Sequence, residues 1–346
     1  MEFRKLGNTG IDVSLICLGT MTWGQQNTQQ EGFEQMDYAV EQGINFFDTA
    51  ELYSIPPKAE TQGSTETIIG NWFSKNGNRK EIILATKVAG RSGMKWFRGG
   101  ETRLNKKNIE EAIEGSLKRL QTDYIDLYQL HWPDRALNIF GGGLGLYKHY
   151  DLESIPIEET LEVLEEIVKT GKVRHIGLSN ETPWGLSEFL NVSEKKSYPR
   201  AQSVQNAYNL LNRNYETGMS EFFHRSEVGL LAYSPLAQGY LSGKYLDGKL
   251  PEGSRTKLFG RGQRYETPSA ESAIRKYVGL AEQSDLDPSL MANAFVNSRD
   301  FVTSNIIGAT SMAQLKLAIK SEQTKLSQDI LDELDKIHSE CPNPCP

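Results

Sequence analysis

Gly43-Ile44-Asn45-Phe46-Phe47-Asp48-Thr49-Ala50-Glu51-Leu52-Tyr53 is the stretch whose reading decides the fold. The apolar pair Phe46-Phe47 is too short for a helix and follows a helix-like segment closed by Gly43, so it reads as a buried strand. That strand stops at a carboxylate, Asp48, and a phenol, Tyr53, follows in the loop. Other strand-like runs stop in the same manner. Residues 82–86 (Ile-Ile-Leu-Ala-Thr) run into Lys87, and residues 125–130 (Ile-Asp-Leu-Tyr-Gln-Leu) run into His131. Side chains that follow successive parallel strands gather at one end of a sheet, so Asp48, Tyr53, Lys87 and His131 form a set that one fold would bring together.

Working outward, residues 3–15 read as a β-hairpin around the turn Gly7-Asn8-Thr9-Gly10, a plausible plug for the bottom of a barrel. Ile16-Cys17-Leu18 leads into Gly19-Thr20-Met21 as the first strand and its loop. Further strand candidates end in Ser179-Asn180, Gln205-Asn206, Ser234-Pro235 and Gly308-Ala309-Thr310. Helix candidates include residues 30–41, 65–73, 105–120 and 157–170. In the third, Ile109, Ile113, Leu117 and Leu120 recur at helical spacing behind Asn105, a natural N-cap. Eight strand candidates, each followed by a helix candidate, imply a parallel sheet closed into a (β/α)8 barrel spanning residues 1–346 as one domain. An open doubly wound sheet would announce a dinucleotide with G-x-G-x-x-G after its first strand, and no such match occurs. Residues 328–339 read as a final helix that could lie across the barrel mouth.

The bulk properties agree with that architecture. Apolar content of 38% and charged content of 24% fit a soluble globular protein with a substantial core. A net charge of −7 without a basic block argues against a nucleic-acid surface. Cys17, Cys341 and Cys345 do not make a disulfide framework, which favours a reduced, cytoplasmic setting. No run approaches membrane-spanning length, and no apolar segment follows the first five residues. His149, His175, His224 and His338 show no metal-ligand spacing, so no metal is expected. Three connections exceed the usual βα length: residues 88–104, 133–156 and 236 to about 269. All three open on the face that carries Asp48, Lys87 and His131, so they are expected to wall one pocket.

Taken singly, each of these residues has an ordinary structural reading: Asp as a turn former, Lys as a solvated charge, His as a satisfied core residue. Their order along the chain says more. The sequence resembles the aldo-keto reductase family over essentially its whole length, most nearly the bacterial Tas-type members. The resemblance is carried by Leu18-Gly19-Thr20-Met21, Phe47-Asp48-Thr49-Ala50-Glu51-Leu52-Tyr53, Ala85-Thr86-Lys87 and Ser116-Leu117-Lys118-Arg119-Leu120. It continues through residues 123–131, Ile176-Gly177-Leu178-Ser179-Asn180 and Tyr233-Ser234-Pro235-Leu236. It implies an NADPH-dependent reduction of an aldehyde or ketone, with Tyr53, Asp48, Lys87 and His131 as the catalytic set. The chemistry suits those types. Hydride added to a carbonyl leaves an alkoxide that needs a proton, and a phenol near pKa ~10 is a poor acid at neutral pH. An ammonium such as Lys87 at ~4 Å favours the phenolate by about 4 kcal/mol at an effective dielectric of ~20. Asp48 would keep that lysine charged, and His131 would hydrogen-bond the carbonyl oxygen.

The resemblance also implies a cofactor site. Gly19, Thr20, Met21 and Asp48 would border it. Ser179, Asn180 and Gln205 would hold the nicotinamide carboxamide, with Tyr233 stacked on the ring. Ser234, Pro235, Leu236, Ala237, Gln238, Gly239 and Leu241 would fold over the pyrophosphate. Lys244 and Arg255 would grip the 2′-phosphate, and Gly308, Ala309, Thr310 and Gln314 would meet the adenosine. Gly239-Tyr240-Leu241-Ser242-Gly243-Lys244 is one residue short of G-x-x-x-x-G-K, and Tyr245 stands where Ser or Thr would bind magnesium, so a nucleotide-triphosphate loop is excluded. After Lys316 the chain carries Leu317-Ala318, where many relatives have a polar pair for the adenine. Two other readings fit the same residues. One is a cofactor-sensing regulatory subunit with little turnover, and the other a Schiff-base barrel enzyme using Lys87. Neither the natural carbonyl substrate nor an oligomeric state is legible at this level.

Overall fold

In the computed structural model, which describes residues 1–140, 146–260 and 264–346, all eight expected strands are present. They are β3 (Ile16–Gly19), β4 (Phe46–Asp48), β5 (Ile83–Val88), β6 (Ile125–Leu130), β7 (Val173–Ser179), β8 (Ala201–Ala207), β9 (Gly229–Tyr233) and β10 (Val302–Ile307). Every neighbouring pair is parallel, and β10 pairs back onto β3, so the sheet is a closed (β/α)8 barrel. Ahead of it β1 (Phe3–Lys5) and β2 (Asp12–Ser14) form the antiparallel hairpin.

The period-two pleat sorts inward side chains into layers. Leu6 and Val13 from the hairpin pack with Cys17, Phe46, Ala85, Leu127 and Leu231 in one apolar cluster, so the hairpin plugs the barrel from below. Two residues further along the same strands stand Gly19, Asp48, Lys87, Gln129 and Tyr233. The upper, polar layer is therefore the next turn of the pleat above the plug. Register aligns it: Gly19 pairs with Asp48, and Lys87 with Gln129.

The outer helices start where local chemistry allows. In α1 (Gln29–Glu41), Thr28 and Glu31 form a reciprocal capping box, and Asn105 accepts the Asn108 N–H at the start of α3 (Lys106–Leu120). The stripe Ile109, Ile113 and Leu120 is buried as its spacing predicts. Helices α2 (Ser64–Asn76), α4 (Ile157–Lys169), α5 (Pro183–Lys196), α6 (Ser220–Ser226) and α10 (Met312–Lys320) complete most of the ring. Between β9 and β10 the chain departs from simple alternation. Residues 236–269 carry short 3-10 turns and α7 (Arg255–Phe259), and both α8 (Ala270–Gln283) and α9 (Pro288–Asn297) precede β10. The final helix α11 (Gln328–Glu340) packs against α8, and none of its residues lines the cavity at the barrel mouth. Its apolar pair Leu334 and Ile337 needs a core to bury against and finds it beside α8, while Asp335 pairs with Arg213. No helix among the described residues is long and apolar enough to cross a membrane.

Candidate active site

Asp48 closes β4, Lys87 lies near the end of β5, His131 follows β6, and the β4 loop brings Tyr53 back over them. The Lys87 side chain is fully buried, and its ammonium donates to three oxygens: Asp48 Oδ2 at 2.7 Å, Thr49 O at 2.8 Å and the Tyr53 hydroxyl at 3.2 Å. An ammonium has three protons, so this one is fully satisfied. The Tyr53 oxygen accepts from the lysine and keeps its own proton for another acceptor. The His131 ring lies edge-on to Tyr53 with centroids 5.5 Å apart, and its buried Nδ1 has no hydrogen-bond partner.

Burial changes the electrostatics expected from the sequence. Removal from water pushes the Tyr53 phenol above its ordinary value, outweighing the downward pull of the Lys87 ammonium. The phenol is thus held as a phenol, not drawn toward phenolate. Burial alone would lower the pKa of Lys87, but Asp48 and Tyr53 outweigh it and hold the ammonium charged. Burial, with Lys87 nearby, pushes His131 well below the usual histidine range, so the ring is neutral near pH 7 and donates one N–H only.

The structure adds residues that the sequence reading did not single out. Gln129 Nε2 and Gln205 Nε2 both donate to Asp48 Oδ1, at 3.1 and 2.8 Å. Glu51, buried two residues before Tyr53, accepts the Ala89 N–H at 2.8 Å on one oxygen and Arg98 Nη1 at 2.5 Å on the other. It thereby clamps the loop carrying Tyr53 to the strand carrying Lys87. Gln129 was within reach of sequence reasoning, since it stands two residues beyond core Leu127 in a run already read as a strand. The Glu51–Arg98 pair was not, because it closes across a long loop.

A cavity of about 1870 Å³ opens above this layer, well beyond the roughly 300–1,000 Å³ of an ordinary small-molecule site. Segments from all three long loops line it, among them Met94, Ile139, Phe140 and Leu258, together with Trp132 and with Gln25 and Ile55 from the first two βα loops. Parts of the second and third long loops, residues 141–145 and 261–263, lie outside the described residues. Tyr53, His131 and Asp48 face the cavity, whereas Lys87 lies beneath it. Of the positions expected at the cofactor, Gly19, Thr20, Met21, Ser179, Asn180, Gln205, Tyr233, Ser234, Pro235, Leu236, Gln238, Gly239, Lys244, Arg255, Gly308, Ala309, Thr310 and Gln314 line it. Ala237 and Leu241 do not. Both side chains are buried in the apolar core, where they anchor the turn that presents their neighbours.

Local detail fits this wall to a dinucleotide. Asn180 donates to His131 O at 2.9 Å and accepts from the Tyr233 hydroxyl at 2.7 Å, so it ties the end of β6 to the Tyr233 side chain. Gly239 has φ +93°, a backbone conformation that L side chains rarely adopt, so glycine suits this turn beside Lys244. Gln238 Oε1 and Arg255 Nε are buried polar atoms without partners, the condition a polar ligand relieves.

A parallel barrel with a tyrosine, a buried lysine and a histidine gathered at its C-terminal rim, beside a cleft roomy enough for a dinucleotide and a second molecule, is a build that can serve an oxidoreductase. The sequence profile of the Aldo/keto reductase family matches residues 15–339. The chain belongs to the aldo/keto reductase family and is an oxidoreductase of that family. It is 45% identical to Protein tas of Escherichia coli over the whole of both chains. It is 36% identical to the uncharacterized oxidoreductase YrpG of Bacillus subtilis, covering 97% of this chain and 96% of that one. A Schizosaccharomyces pombe protein named as a voltage-gated potassium channel subunit beta is 30% identical, covering 97% of this chain and 93% of its own.

Proposed function

We propose that the chain reduces an aldehyde or ketone to the alcohol with NADPH as hydride donor, and that Tyr53 is the general acid. The observation that carries this reading is Tyr53, which lines the cavity while its hydroxyl lies 3.2 Å from a buried ammonium. NADPH, when bound, supplies the hydride. The family generally uses NADP(H), and Lys244 and Arg255 on the cavity wall give two cations for a 2′-phosphate. Ser179, Asn180 and Gln205 would hold the carboxamide, Tyr233 would back the ring, and residues 234–239 would cover the pyrophosphate.

The carbonyl oxygen of the substrate would lie between Tyr53 and His131. Neutral His131 donates its one N–H to that oxygen and sets its position. As the carbonyl carbon takes the hydride, the oxygen gains charge and takes the Tyr53 proton. The phenolate left behind stands beside Lys87, whose charge Asp48 maintains; solvent then returns the proton. Acid catalysis of this kind contributes about 10²–10⁴ in rate, so positioning of the carbonyl must supply much of the rest.

The relative named for a potassium channel subunit lends some support to a cofactor-sensing reading. The complete set including His131 favours turnover. Lys87 is a poor Schiff-base nucleophile, since its three protons are engaged and it is held charged. A panel of aldehydes and ketones with NADPH tests the proposal. Loss of reduced-nicotinamide absorbance supports it. Tight NADPH binding without turnover would favour the sensor, and borohydride trapping of a carbonyl on Lys87 would favour the Schiff base.

A further inference from the structure

We infer that Gln129 is a positioning residue that fixes the polarity of the carboxamide shelf: it engages the second amide proton of Gln205, so that Gln205 meets the nicotinamide carboxamide as an acceptor only. This rests on the NADPH reading given above. A carboxylate only accepts hydrogen bonds, so Asp48 dictates which way each neighbouring amide turns. Gln129 Nε2 donates to Asp48 Oδ1 at 3.1 Å and Gln205 Nε2 to the same oxygen at 2.8 Å. The remaining Gln205 Nε2 proton goes to Gln129 Oε1 at 3.2 Å. Turning either amide over would place its oxygen against the carboxylate. The triangle is closed, and every member is at least nine-tenths buried.

Both donors of Gln205 are thus occupied beneath the cavity floor, while the residue itself lines the cavity. Its Oε1 is the hydrogen-bonding atom left, and it matches the –NH₂ half of a carboxamide. The backbone makes room for this arrangement. Gly177 is the register partner of Gln129 on β7, and a Cβ at Gly177 would lie 3.3 Å from Gln129 Cγ and 2.9 Å from Ser203 Oγ. Through Asp48, the same glutamine touches the carboxylate that holds Lys87.

The test compares dissociation constants, by quenching of protein fluorescence, for NADPH and for its acetylpyridine analogue, in which a methyl group replaces the carboxamide –NH₂. Wild type is expected to prefer NADPH by about two- to tenfold, the worth of one neutral hydrogen bond. In Gln129→Leu the Gln205 amide keeps only its bond to Asp48 and can tilt about it, so the alignment of Oε1 on the –NH₂ relaxes and the preference falls toward unity. Gln129→Met, with an unbranched stem of similar volume, gives the same result if the branched variant folds poorly. A purely structural role would weaken both ligands alike and leave the ratio unchanged. That outcome in a folded variant overturns the inference, as does wild type that binds the two ligands equally. Failure of wild type to bind NADPH at all would instead overturn the cofactor reading beneath it.

Discussion

Lys87 Nζ stands 3.2 Å from the Tyr53 hydroxyl with its other two protons held by Asp48 Oδ2 and Thr49 O, at 2.7 and 2.8 Å. A cation so engaged has no proton left for a substrate. Burial raises the proton affinity of Tyr53, and the ammonium offsets part of that rise, so the phenol is held protonated and a phenolate formed there would still have a countercharge at hand.

Replacing Tyr53 with Phe removes the transferable proton and leaves the ring in place. Turnover of a reactive aldehyde should fall by about 10²–10⁴ while the dissociation constant for NADPH stays near the wild-type value. Because the phenol is held above its usual value of about 10, no alkaline loss of wild-type kcat/KM from Tyr53 is expected below that pH. Full rate in Tyr53→Phe would remove this residue from the acid role.

Arg255 presents a half-buried guanidinium whose Nε lacks a partner, on the wall where a 2′-phosphate would sit. A charge-assisted hydrogen bond is worth about 1.5–3 kcal/mol, so Arg255→Ala should weaken NADPH by roughly ten- to a hundredfold and leave NADH nearly unchanged. Lys244→Ala should act in the same direction and more weakly, as a point charge does. Equal wild-type affinity for the two cofactors, unaltered in Arg255→Ala, would refute NADPH selectivity.

How much of this was legible in the sequence depended on where each residue sits. Asp48, Lys87 and His131 fall at or just beyond the ends of short apolar runs, where a change of residue type is conspicuous, and the same alternation gave the barrel. Gln129 lies inside such a run, flanked by Tyr128 and Leu130, and a buried amide there reads as core until the pleat offset from Leu127 is combined with its register to Lys87. The placement of α11 was not legible, because its two apolar residues specify a buried face and not which partner covers it. Nor was the net direction of the Tyr53 shift, since spacing reveals a neighbouring charge but not the extent of desolvation. Ala237 and Leu241 show the converse: a motif placed them at the ligand, and packing turned their side chains inward.

The Glu51–Arg98 pair carries a stability prediction. Glu51 is buried, burial pushes its carboxyl upward, and Arg98 offsets part of that shift. Arg98→Leu would leave a buried carboxylate without its countercharge and should cost about 3–5 kcal/mol in denaturant unfolding. Adding Glu51→Gln to that variant removes the charge, keeps an acceptor for the Ala89 N–H, and should recover much of the loss. A single variant within about 0.5 kcal/mol of wild type would show that the clamp is not a stability device.

His131 ties stability to pH. Burial, reinforced by Lys87, depresses its folded-state pKa well below the unfolded value of about 6.5. Between those two values the unfolded chain binds a proton that the folded chain resists, so stability is full above about pH 6.5 and is lost as pH falls toward the folded pKa. One such proton corresponds to a slope of up to about 1.4 kcal/mol per pH unit. His175 and His338 are also depressed by burial and add to the wild-type slope. His131→Asn, which cannot titrate, should therefore flatten the stability curve between about pH 6.5 and 5 by up to one proton's contribution while the other two histidines still act. Urea titrations at several pH values measure that slope directly, and a variant curve parallel to wild type through this window would mean that His131 is protonated in the folded protein as readily as in the unfolded chain.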